Sequence, residues 1–153
     1  MLLWLVRHGE CGFLNESDPE PRLTPEGRGK VEGIASRLSD ADPRKPEILF
    51  CSPLERARET AAVFNGFWDL PIQDGDFLLP HVGPAQVLEK LKGVENHDVA
   101  LVGHMPNLGL LLATLLWGLP PREAVVPRGA AALLDLKAWA PASAKLLHFI
   151  EAS

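Results

Sequence analysis

Residues 2–9 read LLWLVRHG. Leu2, Leu3, Trp4, Leu5 and Val6 form an unbroken apolar run with no polar alternation. Such a run suits a strand buried on both faces, in the middle of a parallel sheet covered by helices. It ends in an arginine and a histidine side by side, followed by glycine and glutamate.

Two further stretches repeat the pattern. ILFC (48–51) runs directly into SPLERAR (52–58), and DVALV (98–102) runs into GHMPN (103–107). Between and after them lie helical signals. In LTPEGRGKVEGIASRL (23–38), Thr24 is a good N-cap and Pro25 suits the first helical position. Val31, Ile34, Ala35 and Leu38 make the i, i+3, i+4, i+7 stripe of an amphipathic helix. Gly27, Gly29 and Gly33 weaken that helix and suggest close approach to a neighbour. SDADPRKPE (39–47) reads as a loop.

SPLE (52–55) reads as a capping box with Ser52 as cap, Pro53 first and Glu55 third. The helix that follows should bury Leu54, Ala57, Ala61 and Phe64. Residues 70–79 look irregular, with a short strand near Ile72 or Phe77. PAQVLEKLKG (84–93) is a third helix closing at Gly93. LGLLLATLLWGL (108–119) is too short to span a bilayer, which takes about 20 residues, and reads as a buried helix. GAAALLDL (129–136) and AKLLHFIE (144–151) are two terminal strands joined as a hairpin. The order β-α-β-α-(β)-α-β-α-β-β predicts an α/β fold: three layers, a mainly parallel sheet with an antiparallel edge, and helices on both faces.

The 153 residues fit one domain over 1–153. The net charge of −5 argues against a nucleic-acid or anionic-membrane surface as partner. The two cysteines, Cys11 and Cys51, form no CxxC, and no His/Cys cluster has zinc spacing. MLLWLV lacks the parts of a signal peptide. A cytoplasmic monomer is the expectation.

In doubly wound sheets, ligands sit beyond the carboxyl ends of the strands, where strand order reverses. There the three strand ends would gather Arg7, His8, Arg56, Arg58 and His104. Arginine forks match phosphate oxygens. A histidine can attack phosphorus and carry the phosphoryl group. Gly9 would let the backbone come close to the bound group, and the first turn of the 53–66 helix would add N–H donors. Each residue alone has a blander reading: Arg7-His8 as a polar strand edge, His104 as structural, Arg56 and Arg58 as solvated or paired with Glu55 or Glu59. Three compatible strand ends together favour the phosphate site. A cysteine phosphatase is disfavoured, because six positions after Cys51 stands Ala57 rather than arginine. His81, His97 and His148 have no metal-ligand pattern.

RHGE (7–10), LTPEG (23–27), SPLERARETA (52–61) and GH (103–104) occur in the order seen in the histidine phosphatase superfamily, which includes the phosphoglycerate mutases. The chain resembles that family, and its short length looks most like the SixA-type phosphohistidine phosphatases. The resemblance implies that His8 is the nucleophile and becomes phosphohistidine. It implies that Arg7 and Arg56 bind the phosphoryl oxygens and that His104 contacts the phosphoryl group and steadies the transition state. No metal and no organic cofactor is implied. The implied substrate is phosphohistidine on a signalling protein. The alternatives are a phosphomonoesterase acting on a small metabolite and a non-catalytic phosphate-binding protein.

There is one departure. Many family members carry a glutamate in the middle region as general acid, whereas DFLLPHVGPA (76–85) has none. Glu10, Asp76 and His81 are the candidates. An imidazole leaving group protonated on its far nitrogen departs neutral, so a general acid, worth roughly 10²–10⁴-fold, would matter less.

Overall fold

The computed structural model describes residues 1–12, 20–118 and 124–152. The chain builds β1 (Leu2–Arg7), α1 (Pro25–Ala41), β2 (Ile48–Cys51), α2 (Glu55–Trp68), β3 (Ile72–Asp74), α3 (Pro84–Leu91), β4 (Val99–Gly103), α4 (Asn107–Trp117), β5 (Ala131–Leu136) and β6 (Ala144–Ile150). Short 3₁₀ turns at Asp76–Leu78 and Lys92–Val94 complete it. The six strands form one sheet in the order β3-β2-β4-β1-β5-β6. β1 to β4 run parallel, and β5 and β6 add an antiparallel edge.

The uniform hydrophobicity of β1 follows from its central place, since both faces are covered. Leu2, Trp4 and Val6 pack with α1 and α2 through Val31, Ile34, Ala35, Leu38, Ala57, Ala61 and Phe64. Leu3 and Leu5 pack on the other face with α3 and α4 through Val87, Leu88, Leu91, Leu108 and Leu111. A β-strand sends alternate side chains to opposite faces, so one short segment serves two cores. At about 25 cal/mol per Å² of buried apolar surface, such doubly covered strands supply much of the fold's stabilisation. The three-layer α/β architecture read from the sequence is the one observed.

Local signals hold at α1 and fail at α2. Thr24 caps α1 with its side-chain oxygen, accepting from Gly27 N–H at 2.9 Å, and Pro25 opens the helix. The helix runs through Ala41, three residues into the expected loop. Of its three glycines only Gly27 meets a neighbour: a Cβ there would lie 2.1 Å from the Glu10 carbonyl oxygen, whereas Gly29 and Gly33 face open space.

α2 has no capping box. It begins at Glu55 with Leu54 at the cap position and no side-chain cap from within the segment. Glu20 reaches in from across the sequence, its carboxylate accepting from Glu55 N–H at 2.7 Å. Ser52 is drawn away by a tertiary partner described below, and Leu54 is only half-buried. Gly93 lies inside the Lys92–Val94 turn rather than closing α3. ESDPEPR (16–22), which its polar and proline-rich composition marks as a loop, and PPREAVVPRG (120–129), a connection without a clear period, lie partly outside the described residues. Among the described residues no helix is long and apolar enough to cross a membrane.

Candidate functional site

Strand register decides which side chains meet. In the parallel pair of β1 and β4, Arg7 stands opposite Gly103, so the next residues, His8 and His104, emerge side by side. The His8 N–H donates to the Gly103 carbonyl at 2.9 Å, extending the pairing past the strand ends. In the neighbouring pair, Cys51 stands opposite Val102, and Ser52 N–H donates to the Val102 carbonyl at 3.0 Å. Chain connections leave β1 and β4 over opposite faces, which makes this the switch point where α/β sheets hold ligands.

The two imidazoles lie with ring centroids 5.1 Å apart, tilted by 50°. Both are nearly out of solvent, His8 at 7% and His104 at 1% exposure. The His8 Nδ1–H donates to the Gly9 carbonyl at 2.8 Å, which leaves the Nε2 lone pair free. Burial holds its pKa down to about 4, with the charges of Arg56, Arg7 and Arg128 acting in the same direction. Burial likewise lowers His104 to about 3, helped by His8, Arg56 and Arg7. Both rings are therefore neutral near pH 7, the state in which histidine is a nucleophile.

His104 Nε2 lies 2.7 Å from Ser52 Oγ. Leu54 N–H donates to the same oxygen at 3.3 Å, leaving the hydroxyl proton for Nε2. In that arrangement His104 carries its proton on Nδ1, which is buried and has no partner among the described residues.

Arg7 donates from Nη1 to the Val126 carbonyl at 2.9 Å, while its buried Nε is unpartnered. Its pKa is lowered by burial and by Arg128. Buried donors normally have partners, so unpartnered ones that gather at one place point to a ligand. Arg56, in the first turn of α2, makes no ion pair among the described residues, yet its charge acts on both histidines. Thr60, one helical turn on and fully buried, holds the assembly together. Its Oγ1 accepts from Gly9 N–H at 2.9 Å and donates to the Arg56 carbonyl at 2.8 Å.

Arg7, His8, Arg56 and His104 are thus brought to one place. Gly9 is beside them, but its amide is committed to Thr60. A Cβ at position 9 would lie 2.6 Å from Val31 Cγ2, so a glycine is needed there for the loop to pack on α1. Arg58 is elsewhere, paired with Asp74 at 3.0 Å on the surface rather than with Glu55 or Glu59. The N–H of Glu55 faces the Glu20 carboxylate, so the start of α2 is not the free set of donors expected. Cys51 is buried, and burial pushes its thiol up to about 12, which makes it unreactive.

None of the three candidate acids bonds to this cluster. Glu10 pairs with Lys30 at 3.1 Å. Asp76 and His81 are exposed, on a segment that closes over the end of β4 through apolar and backbone contacts. Asn107 there donates from Nδ2 to the Val82 and Phe77 carbonyls. Among the described residues no three His, Cys, Asp or Glu side chains cluster in a way that could hold a metal ion.

Ser52 and Thr60 belong to the site without having been singled out. Ser52 follows a strand and precedes a helix, and the same position reads equally well as an N-cap. Thr60 falls on the helix face shared by Ala57, Ala61 and Phe64, where its hydroxyl was the one available signal.

A strand-end pair of neutral histidines beside Arg7 and Arg56, on a doubly wound sheet, goes with an α/β fold of the phosphoglycerate mutase-like kind. Residues 3–78 match the model of the histidine phosphatase superfamily (branch 1). Over that stretch, just under half of the chain, the sequence is similar to the histidine phosphatase superfamily. It is 38% identical over 76 residues to the 5''-phosphoribostamycin phosphatase of Niallia circulans, covering 43% of this chain and 34% of that protein. It is also 38% identical over 76 residues to the adenosylcobalamin/alpha-ribazole phosphatase of Salmonella typhimurium, covering 46% of this chain and 36% of that one. The chain therefore spans about a third of the length of these relatives. The structure of the protein histidine phosphatase SixA complexed with tungstate superposes with a TM-score of 0.84, over 99% of this chain and 97% of that one, at 22% identity. At that identity the likeness is one of fold.

Proposed function

We propose that this chain is a phosphatase that works through a covalent phosphohistidine on His8, and that its substrate is phosphohistidine on a protein. The observation that carries the reading is the meeting of neutral His8, its Nε2 lone pair free, with Arg7 and Arg56, neither of which faces a carboxylate among the described residues.

His8 Nε2 attacks phosphorus in line. The P–N bond to His8 forms as the bond to the substrate imidazole breaks, and the electron pair leaves with that imidazole. Arg7 and Arg56 balance the charge on the equatorial oxygens, which is where such transition states carry it. His104, a neutral donor, contributes a further hydrogen bond. Water then attacks the phosphoryl group, releasing orthophosphate and returning neutral His8. An imidazole protonated at its far nitrogen departs without needing a proton, which is consistent with the lack of an acid among the hydrogen-bond partners that the described residues give the site. Two free cysteines, Cys11 and Cys51, suit a reducing, cytoplasmic setting.

A second reading keeps the chemistry and replaces the substrate with a small phosphorylated metabolite. It is favoured by the 38% identity with two small-molecule phosphatases over 76 residues. Incubation with a protein carrying ³²P-phosphohistidine, followed by an alkaline quench, tests both. Label on His8 and release of orthophosphate are expected. Label from small phosphate esters alone would give the second reading. No label and no turnover with any donor would leave a phosphate-binding protein.

A further inference from the structure

The segment from Val126 to Ala130, which leads into β5, is built into the site. Gly129 N–H donates to the carbonyls of both Arg7 and His8, at 3.1 and 2.9 Å. Arg7 N–H donates to the Ala130 carbonyl at 3.1 Å, and the Arg7 side chain holds the Val126 carbonyl. Ala130 N–H donates to the Pro127 carbonyl at 3.0 Å, and Gly129 has φ +77°. That is a type II turn, which demands glycine at its third position and places Arg128 at its tip. The turn is tied to the backbone of the nucleophile, so Arg128 is held at the mouth of the site. It is exposed, whereas His8 below it is buried.

Charge counting gives this position its meaning. A phosphate monoester group carries about −1.5 to −2 near pH 7. Arg7 and Arg56 match that charge, and both histidines are neutral. Arg28, Arg44 and Arg58 each face a carboxylate, but Arg128 has none among the described residues. Its charge is close enough to lower the pKa of both Arg7 and His8. Without a ligand the third cation works against the other two.

We propose that Arg128 is a specificity-determining residue that binds a second anionic group of the substrate, a carboxylate or a phosphate lying a few atoms beyond the phosphoryl group presented to His8. This rests on the phosphatase reading above. In a protein substrate the second group is an acidic side chain beside the phosphorylated residue. In a small substrate it is a second acid function on the same molecule.

The test is calorimetric titration of the full chain with three probes: orthophosphate, phosphonoacetate and pyrophosphate. The wild type should bind at least one of the two-anion probes more tightly than orthophosphate. Arg128→Gln should weaken that probe about tenfold, the loss of one charge-assisted bond, and weaken orthophosphate less than twofold. Arg128→Lys, which keeps the cation, should retain most of the preference. It also guards against a folding defect in the Gln variant, and thermal melts of both check this directly. Whichever probe loses more identifies the second group as carboxylate or phosphate. Equal weakening of all three probes would put Arg128 on the phosphoryl group itself and overturn the proposal, as would no change in any. Orthophosphate binding with no two-anion preference in the wild type defeats this proposal alone. No orthophosphate binding at all defeats the phosphate site and this proposal with it.

Discussion

Two segments flank the site, and they are built differently. On one side, Arg7-His8-Gly9 is held at nearly every backbone group: His8 N–H on Gly103, Gly9 N–H on Thr60, and the Arg7 and His8 carbonyls on Gly129. On the other side, Asp76–Val82 closes over the end of β4 with Leu78, Phe77 and backbone carbonyls. A Cβ at Gly103 would meet the Leu78 carbonyl oxygen at 3.2 Å, so the cover is close. It delivers no proton donor to His8 or His104. The first side fixes His8 and the charges around it, and the second brings only apolar and backbone groups close to the end of β4. Such a division of labour suits a substrate whose leaving group departs unaided.

The comparison breaks first at the nucleophile. His8→Ala should lower turnover by at least about 10⁴-fold, as loss of a covalent nucleophile does, and should abolish the alkali-stable phosphoenzyme in a labelling gel. Retained turnover would move the nucleophile elsewhere.

The next largest effect concerns the leaving group. Aryl phosphates and phosphoramidates should be hydrolysed at least about 10²-fold faster than alkyl phosphates, the span a general acid normally closes. Comparable kcat/KM for both classes in a spectrophotometric and phosphate-release assay would show that an acid is present after all.

Arg56→Ala should lower kcat/KM by about 10²-fold, in the range for removing one preorganised charge at the transition state. It should also let the His8 pKa climb from about 4 toward its ordinary value, because the Arg56 charge helps hold it down. Imidazole NMR titration reads this shift.

Acid titration tests the burial of both rings. The unfolded chain takes up protons near pH 6.5, while native His8 and His104 resist until about 4 and about 3. Their folded pKa values are lowered, so stability is full above about pH 6.5 and falls as the pH drops toward the folded values. Urea midpoints at a series of pH values should show the loss, and His104→Asn should shrink it.

Smallest is Ser52→Ala. It leaves His104 Nε2 without its partner and should cost about 1–2 kcal/mol in thermal stability. It should also lower kcat more than it raises KM, since His104 would be less well held. A pure stability loss with kinetics intact would reduce Ser52 to a packing role.

Of the expected site, the residues that terminate strands were the most legible. A doubly buried strand has no reason to end in Arg7-His8 unless the end itself is used, and the same holds at Gly103-His104. Helix starts were legible only where the cap is local. Thr24 caps α1 within its own turn, so four residues of sequence suffice. At α2 the local pattern pointed to Ser52, but a 2.7 Å bond to a histidine 52 positions away takes that hydroxyl, and Glu20 caps instead. Glycine at position 9 was read as room for a ligand, and the space is filled by Val31. Arg58 and Arg56 look alike in sequence. Only the fold sends one to Asp74 and the other toward the histidines.

The sequence by itself determined the α/β class, the polar strand ends and the amphipathic face of α1. These depend on periodicity and on neighbours within a few residues. The tertiary structure alone decided the rest. Parallel register sets His8 beside His104, and burial with nearby cations makes both rings neutral. A turn at 127–130, far along the chain from every motif, brings Arg128 to the mouth of the site. Each of these depends on pairing between distant segments, and nothing local in a chain encodes the distance between two strands.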